Sequence, residues 1–216
     1  LQQAHALAAG DIAEGRTLLS EPESKALLAL FGIPVPQSRI ANSLEQALQQ
    51  AEDLGYPLAI KILSRDISHK SDVQGVRLNI RDRDSLQREY PALLRDVRAQ
   101  RPQAHIDGVV LQPMIGKRFG RELMIGLVTD AVFGPVISFG SGGVAVELLG
   151  DASLGLPPLN RLLAEDMIRR TRIARLLAAY RHIPAARRED IVDVLLRVSE
   201  MACALPWLTE MDINPL

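Results

Sequence analysis

The stretch LAIKILSRDISHKSDVQGV, residues 58–76, determines how the rest of the chain is interpreted. It begins with an apolar run that contains one cation, Lys61, and it continues into a polar loop that carries His69. A lysine ammonium is a compact charge that can bind phosphate oxygens, and an imidazole can carry a proton or attack phosphorus. The pattern therefore indicates a strand followed by a phosphate-handling loop, although an edge lysine and a solvated loop histidine fit the local sequence equally well.

Two further segments favour the interpretation as a phosphate-handling loop. They are FGPVISFGSGG at residues 133–143 and TEMDINPL at residues 209–216. Together with the HKSD sequence at residues 69–72, they resemble the ATP-grasp domain of the NDP-forming acyl-CoA synthetases, the group that includes ADP-forming acetate–CoA ligase. The resemblance extends from about residue 20 to the last residue. It implies an α/β (α+β) chain with the ATP-grasp fold, in which two subdomains hold the nucleotide between them.

Composition and charge narrow the possible classes of protein. The chain has 216 residues, of which 47% are hydrophobic and 24% are charged, as is usual for a globular protein. Its 25 basic and 26 acidic side chains give a formal net charge of -1, so no nucleic-acid or anionic-membrane partner is expected. The single cysteine, Cys203, cannot form an internal disulfide, and a cytoplasmic location is expected. No apolar run reaches the ~20 residues of a membrane span, and the first residues given lack the charged-then-apolar pattern of a signal peptide.

The chain is expected to contain a lead-in and two subdomains. Residues 1–19 are interpreted as a helix and linker that follow an upstream domain. Residues 20–111 alternate helix and strand, and they are expected to form the smaller subdomain with the HKSD loop. Residues 112–216 are expected to form the larger subdomain, in which residues 151–158 are an ordered loop. Because the chain begins without methionine and stops directly after Asn-Pro-Leu, we expect it to be a piece of a longer polypeptide.

The apolar strand GVVLQPM, residues 108–114, ends in a polar residue and a proline. A purine needs an apolar slot with a few fixed donors and acceptors, which exposed backbone at a strand end supplies. In the family that the sequence resembles, this place is the hinge where main-chain groups and nearby side chains hold the adenine. The resemblance therefore implies nucleotide contacts from Gln112, Pro113 and Met114. An ordinary strand end is the alternative.

The glycine cluster GSGG at residues 140–143 is another candidate for nucleotide binding. It is not a Walker A loop, since neither GKS nor GKT follows it, and its spacing differs from GxGxxG at the start of a helix. Residues 144–148 are instead expected to continue as a strand. The resemblance implies that Gly142 and Gly143 line the nucleotide site, whereas a tight turn without such a role also explains the glycines.

Two carboxylates flank this turn in the sequence. Glu122 matches the family's glutamate at the start of a strand, and the resemblance implies that it holds the ribose or the adenine side of the nucleotide. Glu147 is a further candidate for a site carboxylate. The alternatives are a solvated edge carboxylate for Glu122 and a structural role for Glu147.

The last strand alternates side chains so that Glu210, Asp212 and Asn214 share one face. Carboxylate and amide oxygens suit Mg²⁺, which can bridge them to nucleotide phosphates. A half-exposed strand with a polar outer face would give the same pattern. The resemblance implies that Asn214 and Asp212 bind the metal.

The resemblance also implies a function, which is a step in making or breaking an acyl-CoA thioester coupled to ATP and ADP. This is the reaction of an acid–thiol ligase. His69 would carry phosphate at the nucleotide end, Lys61 would bind phosphate oxygens, and Mg²⁺ would complete the clamp. Besides the nucleotide, the expected partner is a CoA-binding/ligase domain on the same protein or on a partner subunit. Because this chain lacks that domain, we expect it to be incomplete as an enzyme.

One departure from the family keeps an alternative open. The family commonly reads His-Lys-Ser-Asp-Val-Gly-Gly, whereas this chain has Gln74 before Gly75. Together with LPPLN at residues 156–160, this is similar to a synthetase-like region fused to a downstream GNAT domain in Pat-type bacterial protein lysine acetyltransferases. The alternative is therefore a regulatory ligand-binding module of an N-acetyltransferase. An ATP-grasp carboxylate–amine ligase is a weaker third hypothesis, since those enzymes do not need the HKSD histidine.

Overall fold

The computed structural model forms two compact units. It describes residues 2–13, 16–67, 70–116, 119–143 and 150–216, without the side chains of residues 8–13. Unit A comprises Leu7–Ala26 and Pro34–Gly116, and unit B comprises Leu1–Ala6, Leu27–Ile33 and Lys117–Leu216. The subdomain limits predicted from the sequence, 20–111 and 112–216, stay a prediction.

The described residues form seven α-helices and eight strands. The helices are α1 (Gln2–Ala13), α2 (Glu21–Leu30), α3 (Leu44–Leu54), α4 (Arg83–Gln100), α5 (Arg161–Arg169), α6 (Ala174–Leu177) and α7 (Arg188–Ala204). The strands are β1 (Arg39–Ala41), β2 (Leu58–Leu63), β3 (Val76–Ile80), β4 (Gly108–Pro113), β5 (Leu123–Asp130), β6 (Gly134–Ser141), β7 (Ala152–Gly155) and β8 (Glu210–Ile213). A short 3₁₀ helix covers Lys70–Val73. None of the described helices combines the length and apolar character needed to cross a lipid bilayer.

Unit A contains a four-stranded antiparallel sheet in the order β1-β4-β2-β3. Ile60 and Ile62 of β2 are fully buried, in the same apolar core as Ala47 and Ala51 of α3. These two alanines are four residues apart and therefore lie on the same, buried face of the helix. Helices α3 and α4 pack on this sheet, so the other face of β2 is available for a polar side chain.

Side-chain caps begin the two long helices of unit A. The Ser43 hydroxyl accepts a hydrogen bond from the Gln46 N–H at 3.2 Å, as expected at the start of α3. At α4, Asp82 and Ser85 form a reciprocal capping box, with the Ser85 N–H 2.7 Å from the Asp82 carboxylate. These side chains therefore set the helix starts.

Unit B contains the second four-stranded antiparallel sheet, in the order β7-β6-β5-β8. Its inner face contributes Ile125, Ile137 and Phe139, all fully buried, to a core with Met167 of α5 and Leu195 of α7. With antiparallel sheets and helices packed against them, the predicted α/β (α+β) class is confirmed. Strands β5 and β6 form a hairpin and pair from Leu123 and Ser141 down to the turn at Asp130 and Gly134.

The prediction of a loop at residues 151–158 was wrong in part. Ala152–Gly155 forms strand β7, which pairs with β6 through Phe139 opposite Ser153. The sequence ASLG lacks the β-branched and aromatic residues that indicate a strand. Pairing with β6 and the burial of Ser153, whose hydroxyl donates to the Met167 carbonyl at 2.7 Å, determine this strand instead. The strand predicted at residues 144–148 lies outside the described residues.

Asp151 connects the end of β6 with the segment before α6, within unit B. Its carboxylate accepts hydrogen bonds from the Ser141 hydroxyl at 2.9 Å and from the N–H groups of Arg172 at 2.6 Å and Ile173 at 2.8 Å. Burial raises the pKa of the carboxyl group, but these donors and the Arg172 charge outweigh burial and hold the pKa of Asp151 below its usual value. Asp151 therefore stabilises the folded chain in its ionised form.

Replacing Asp151 by asparagine is expected to lower the free energy of unfolding near neutral pH by about 1 kcal/mol, since charge-assisted hydrogen bonds become neutral. The pKa of Asp151 is lower in the folded than in the unfolded chain, so its contribution is complete above the unfolded value of about 3.9. That contribution is lost as the pH falls through the folded value. Urea unfolding at neutral and acidic pH measures both effects. Asp193→Asn, on an exposed position of α7, is the control, and an equal loss in both variants would contradict the prediction.

Candidate functional site

Lys61 lies in the middle of β2, on the face opposite the buried Ile60 and Ile62. Its side chain is 24% exposed. The register places Lys61 opposite Val110 of β4, so that Gln112, two residues further along β4, is its diagonal neighbour on the same face. The ammonium group accordingly lies 3.4 Å from the Gln112 side-chain oxygen. The sheet thus holds the predicted phosphate-binding lysine beside the strand end that was predicted to bind adenine.

The carboxylate of Glu21, at the first position of α2, gathers three lysines of unit A. Its Oε1 atom lies 3.0 Å from the Lys25 ammonium, one helical turn along α2, and 2.9 Å from that of Lys61. Its Oε2 atom lies 3.3 Å from the ammonium of Lys70. Burial raises the pKa of Glu21, but hydrogen bonds and charge from Lys61 and then Lys25 outweigh burial and lower the pKa to about 2. Glu21 is therefore ionised throughout the physiological pH range.

At the strand end formed by Gln112, Pro113 and Met114, the side chain of Gln112 contacts these lysines. The Gln112 side-chain oxygen accepts a hydrogen bond from Lys25 at 2.7 Å. The Met114 N–H donates to the Pro57 carbonyl at 2.9 Å, and Pro113 has no N–H. The Gln112 side chain therefore joins β4 to the lysines, and the predicted nucleotide contacts of the three residues stay predictions.

His69, the predicted phosphate carrier, lies outside the described residues, as does Ser68. The chain is anchored on both sides of them. Ile67 and Val73 are buried in the core of unit A, and Lys70–Val73 forms the short 3₁₀ helix. Lys70, the neighbour of His69 in the sequence, reaches Glu21.

Gly75 and Gln74 end the histidine loop in a compact turn. The Gly75 N–H donates to the Lys70 carbonyl at 2.7 Å, and its carbonyl accepts from the Ile62 N–H at 2.8 Å. A Cβ atom at Gly75 would lie 2.8 Å from both the Lys70 carbonyl oxygen and the Ile62 side chain, so only glycine fits without a shift. Gln74 has a φ of 54°, in the left-handed region that favours glycine.

Unit B brings four of the predicted residues together. The Gly142 N–H donates to the Glu122 carbonyl at 2.7 Å, and the Gly143 N–H donates to the Asn214 side-chain oxygen at 2.7 Å. Gly143 has a φ of 79°, and a Cβ atom there would collide with the Glu122 carboxylate. The glycine turn thus packs closely against both polar side chains. The other candidate carboxylate, Glu147, lies outside the described residues.

Asp212 lies on β8 opposite Gly126 of β5, on the exposed face of that strand together with Glu210. Burial and then the Glu210 charge raise the pKa of the Asp212 carboxyl group. Asn214 follows the end of the strand and is also exposed. Among the described residues, no three His, Cys, Asp or Glu side chains form a group that could hold a metal ion. The oxygen donors of Asp212 and Asn214 fit Mg²⁺ in kind, and their role as its ligands stays a prediction.

The sequence around Glu21, Lys25 and Lys70 carries no signal that marks them as site residues. The contact that the local sequence around α2 does indicate is a helix cap, in which the Ser20 N–H donates to the Glu23 carboxylate at 2.7 Å. Glu21 and Lys25 are spaced by four residues, which indicates one helix face but says nothing about a lysine on a distant strand.

Comparison with known proteins identifies the family. The profile of the ATP-grasp domain family matches residues 11–216. The chain belongs to the ATP-grasp domain family. The ATP-grasp domain is 37% identical over 204 residues to the beta subunit of ADP-forming acetate–CoA ligase I of Pyrococcus furiosus, covering 94% of this chain and 87% of that subunit. It is 40% identical over 194 residues to ADP-forming acetate–CoA ligase I of Archaeoglobus fulgidus, but it spans only 28% of that longer protein.

Solved structures agree with this assignment. Dinucleotide-forming acetyl-coenzyme A synthetase 1 of Ca. Korarchaeum cryptofilum, in complex with coenzyme A, Ca-AMPCP and HgCl+, superposes with a TM-score of 0.93 at 36% identity, covering 98% of this chain and 92% of that chain. A second structure of that protein holds coenzyme A and Mg-AMPPCP, with its phosphohistidine segment pointing towards the nucleotide binding site (TM-score 0.85, 33% identity, 98% and 91% covered). The predicted ATP-grasp domain of an NDP-forming acyl-CoA synthetase is confirmed. The alternative of a GNAT-fused regulatory module finds no support in these comparisons.

Proposed function

We propose that this ATP-grasp domain binds ADP and Mg-ATP and passes phosphate between His69 and the nucleotide, as one step of ADP-forming acyl-CoA synthesis. The observation that carries the proposal is the convergence of lysines in unit A, where Lys61 and Lys70 meet at one carboxylate. Partly buried ammonium groups attract phosphate oxygens strongly. Lys70 directly follows His69 in the sequence, so the attraction acts next to the phosphate carrier.

The transfer balances with one proton from solvent. In the direction of ATP synthesis, a terminal oxygen of ADP attacks the phosphorus of phosphorylated His69. The new P–O bond forms as the P–N bond breaks, and the electron pair returns to the imidazole, which takes up the proton. Both reactants are anions, so the Lys61 ammonium lowers their mutual repulsion and offsets the charge that develops in the transition state.

Further residues of the chain are proposed as contacts to the nucleotide. In unit A these come from Gln112, Pro113 and Met114 at the end of β4, on the adenine side. In unit B, Glu122 is proposed to hold the ribose or the adenine. The glycine turn beside it, with Gly142 and Gly143, is proposed to let the backbone approach the ligand closely.

Asn214 and Asp212 are proposed to hold Mg²⁺. Their oxygen atoms are of the kind that this ion prefers. Burial and then the charge of Glu210 raise the pKa of Asp212, and a cation at this place would offset the charge of Glu210. When bound, the metal neutralises phosphate charge and fixes the orientation of the phosphate chain.

Calorimetric titration of the chain with ADP and with Mg-ATP tests the binding function. We expect saturable binding of both nucleotides. Adenosine alone is expected to bind much more weakly than ADP, since it offers nothing to the lysines. No binding of ADP to a sample that circular dichroism shows to be folded would overturn the proposal.

Replacing Asn214 by alanine is expected to raise the Mg²⁺ concentration for half-maximal ATP binding about tenfold or more, since even residues that only support a metal ligand cost about 10- to 100-fold when replaced. Asn214→Asp keeps an oxygen for the metal and for the Gly143 N–H, so it should retain the original Mg²⁺ dependence within about threefold. Titrations of ATP at stepwise Mg²⁺ concentrations measure this. The same Mg²⁺ dependence in the wild type and in both variants would remove Asn214 from the metal site.

The CoA-binding part is proposed to lie on another chain or on another segment of the same polypeptide. The relatives occur in both forms, as a separate beta subunit and as a longer single chain. By this proposal the chain alone exchanges phosphate with nucleotides but does not form the thioester.

A further inference from the structure

Lysine is rare in this chain, and most of the lysines lie around one carboxylate of unit A. Of the 25 basic residues only four are lysines, and the other 21 are arginines. Three of the four lysines, Lys25, Lys61 and Lys70, form ion pairs with Glu21. They come from three different elements of unit A, namely α2, β2 and the 3₁₀ helix. A sequence that uses arginine almost everywhere thus concentrates its compact, single-point cations around one carboxylate.

The charges in this lysine cluster do not balance. Three ammonium groups face one carboxylate, which leaves two positive charges in excess. The four side chains are only 17–24% exposed, so water screens the excess incompletely. The neighbouring Glu23 is paired with Arg16 instead, and within the described ranges no other carboxylate is recorded in an ion pair with the three lysines. The Gln112 side-chain oxygen accepts from Lys25 and Lys61 but brings no charge.

We propose that Lys25, Lys61 and Lys70 together form one phosphate-binding cluster, with Glu21 as its internal counterion in the free protein. The inference rests on the proposed function, in which Lys61 binds phosphate oxygens and Lys70 attracts phosphate. It adds Lys25 as a further phosphate ligand and Glu21 as the anion that competes with phosphate for the lysines. A doubly charged phosphate group matches the excess of two positive charges. Ammonium groups suit this role because their three donors can turn from a carboxylate to a phosphate without the fixed fork geometry of a guanidinium.

The arrangement also explains how the free protein keeps three like charges together. Without Glu21 the ammonium groups would repel one another across the short distances that they share with its carboxylate. When phosphate binds, the ammonium groups interact with phosphate as well as with Glu21. The Glu21 carboxylate and the phosphate then repel each other. Glu21 therefore lowers the affinity for phosphate while it holds the cluster in place.

The first experiment compares Lys25→Met with Lys25→Arg and with Arg83→Met, a control that removes one positive charge from an exposed ion pair of the same unit. A thermal melt of a separate sample first checks that each variant is folded. Each variant is then titrated with ADP and with adenosine by calorimetry. We expect Lys25→Met to weaken ADP binding about tenfold and to leave adenosine binding within about twofold, as loss of one charge-assisted contact predicts. Lys25→Arg should restore part of the ADP affinity, and Arg83→Met should bind both ligands as the wild type does. An ADP affinity of Lys25→Met equal to that of the wild type would overturn the inference.

The second experiment tests the counterion. Glu21→Gln keeps the size and one oxygen of the side chain but removes its charge. We expect this variant to bind ADP about threefold to tenfold more tightly, since a repelling anion is gone. Weaker binding of ADP by a folded Glu21→Gln variant would show that Glu21 acts only by positioning the lysines, and it would overturn the counterion role.

A third measurement uses the wild-type chain, so it does not depend on the stability of a variant. Acetylation with acetic anhydride, followed by mass spectrometry of peptides, reports the reactivity of each lysine. We expect saturating ADP to slow acetylation of Lys25, Lys61 and Lys70, and adenosine to slow none of them. If the wild type binds no ADP, the proposed function fails. If it binds ADP and Lys25 reacts as before, only the inference fails.

Discussion

Replacing His69 by asparagine is expected to lower phosphate transfer between ATP and the chain about a thousandfold or more, as removal of a covalent nucleophile does in other enzymes. Asparagine keeps hydrogen-bonding groups of similar size, but it has no ring nitrogen that can form a bond to phosphorus. ADP binding should stay within about threefold of the wild type, because the cations that attract phosphate are lysines of α2, β2 and the 3₁₀ helix.

Incubation with Mg-ATP that carries a radiolabelled γ-phosphate measures the effect. Phosphohistidine is labile in acid and stable in base, which distinguishes it from a phosphorylated serine. The control is His105→Asn, since His105 lies in unit A with a side chain that is 76% exposed. Labelling of the His69→Asn chain at the wild-type rate would show that another residue carries the phosphate.

The sequence predicted the regular elements of the fold well where long apolar patterns were present. Strand β2 covers the apolar run that begins at residue 58, because such a run reports directly on which side chains are buried. Strand β7 was missed because its four residues carry no such pattern. Its position follows from pairing with β6, which no local signal contains.

The departure from the family at Gln74 has a conformational explanation. With a φ of 54°, Gln74 occupies a left-handed position, where glycine has no steric cost and other residues pay about 1 kcal/mol. The glycine that the family commonly has here is therefore suited to the backbone of the turn. Glutamine adopts a left-handed conformation in this chain, so the substitution gives no reason to infer lost nucleotide chemistry.

The sequence predicted individual residues of the candidate site but not the contacts between them. Motifs selected Lys61 and Asn214 as single candidates, but their partners lie far away in the sequence. Asn214 meets Gly143 across 71 residues, and Lys61 meets Glu21 across 40. Such contacts depend on how the strands are ordered in each sheet, which periodicity does not reveal.

Replacing Lys61 by methionine is expected to slow phosphoryl transfer about 100- to 1000-fold, the cost of removing one group that stabilises developing charge in a transition state. The affinity for ADP should fall only about tenfold, since Lys25 and Lys70 still attract its phosphates. Methionine retains the unbranched, apolar part of the lysine side chain, so β2 can keep its packing.

Single-turnover transfer from radiolabelled, phosphorylated chain to ADP separates the two effects, because it gives the rate at saturation and the ADP concentration for half-maximal rate. Lys25→Met provides the matched comparison. Lys25 lies on α2 and shares both Glu21 and Gln112 with Lys61, but it is not on the strand that leads into the histidine loop. We therefore expect Lys25→Met to change mainly the half-maximal concentration and Lys61→Met mainly the rate. If Lys61→Met changed only the half-maximal concentration, Lys61 would bind ground state and transition state equally, and the charge that lowers the barrier would have to come from another residue.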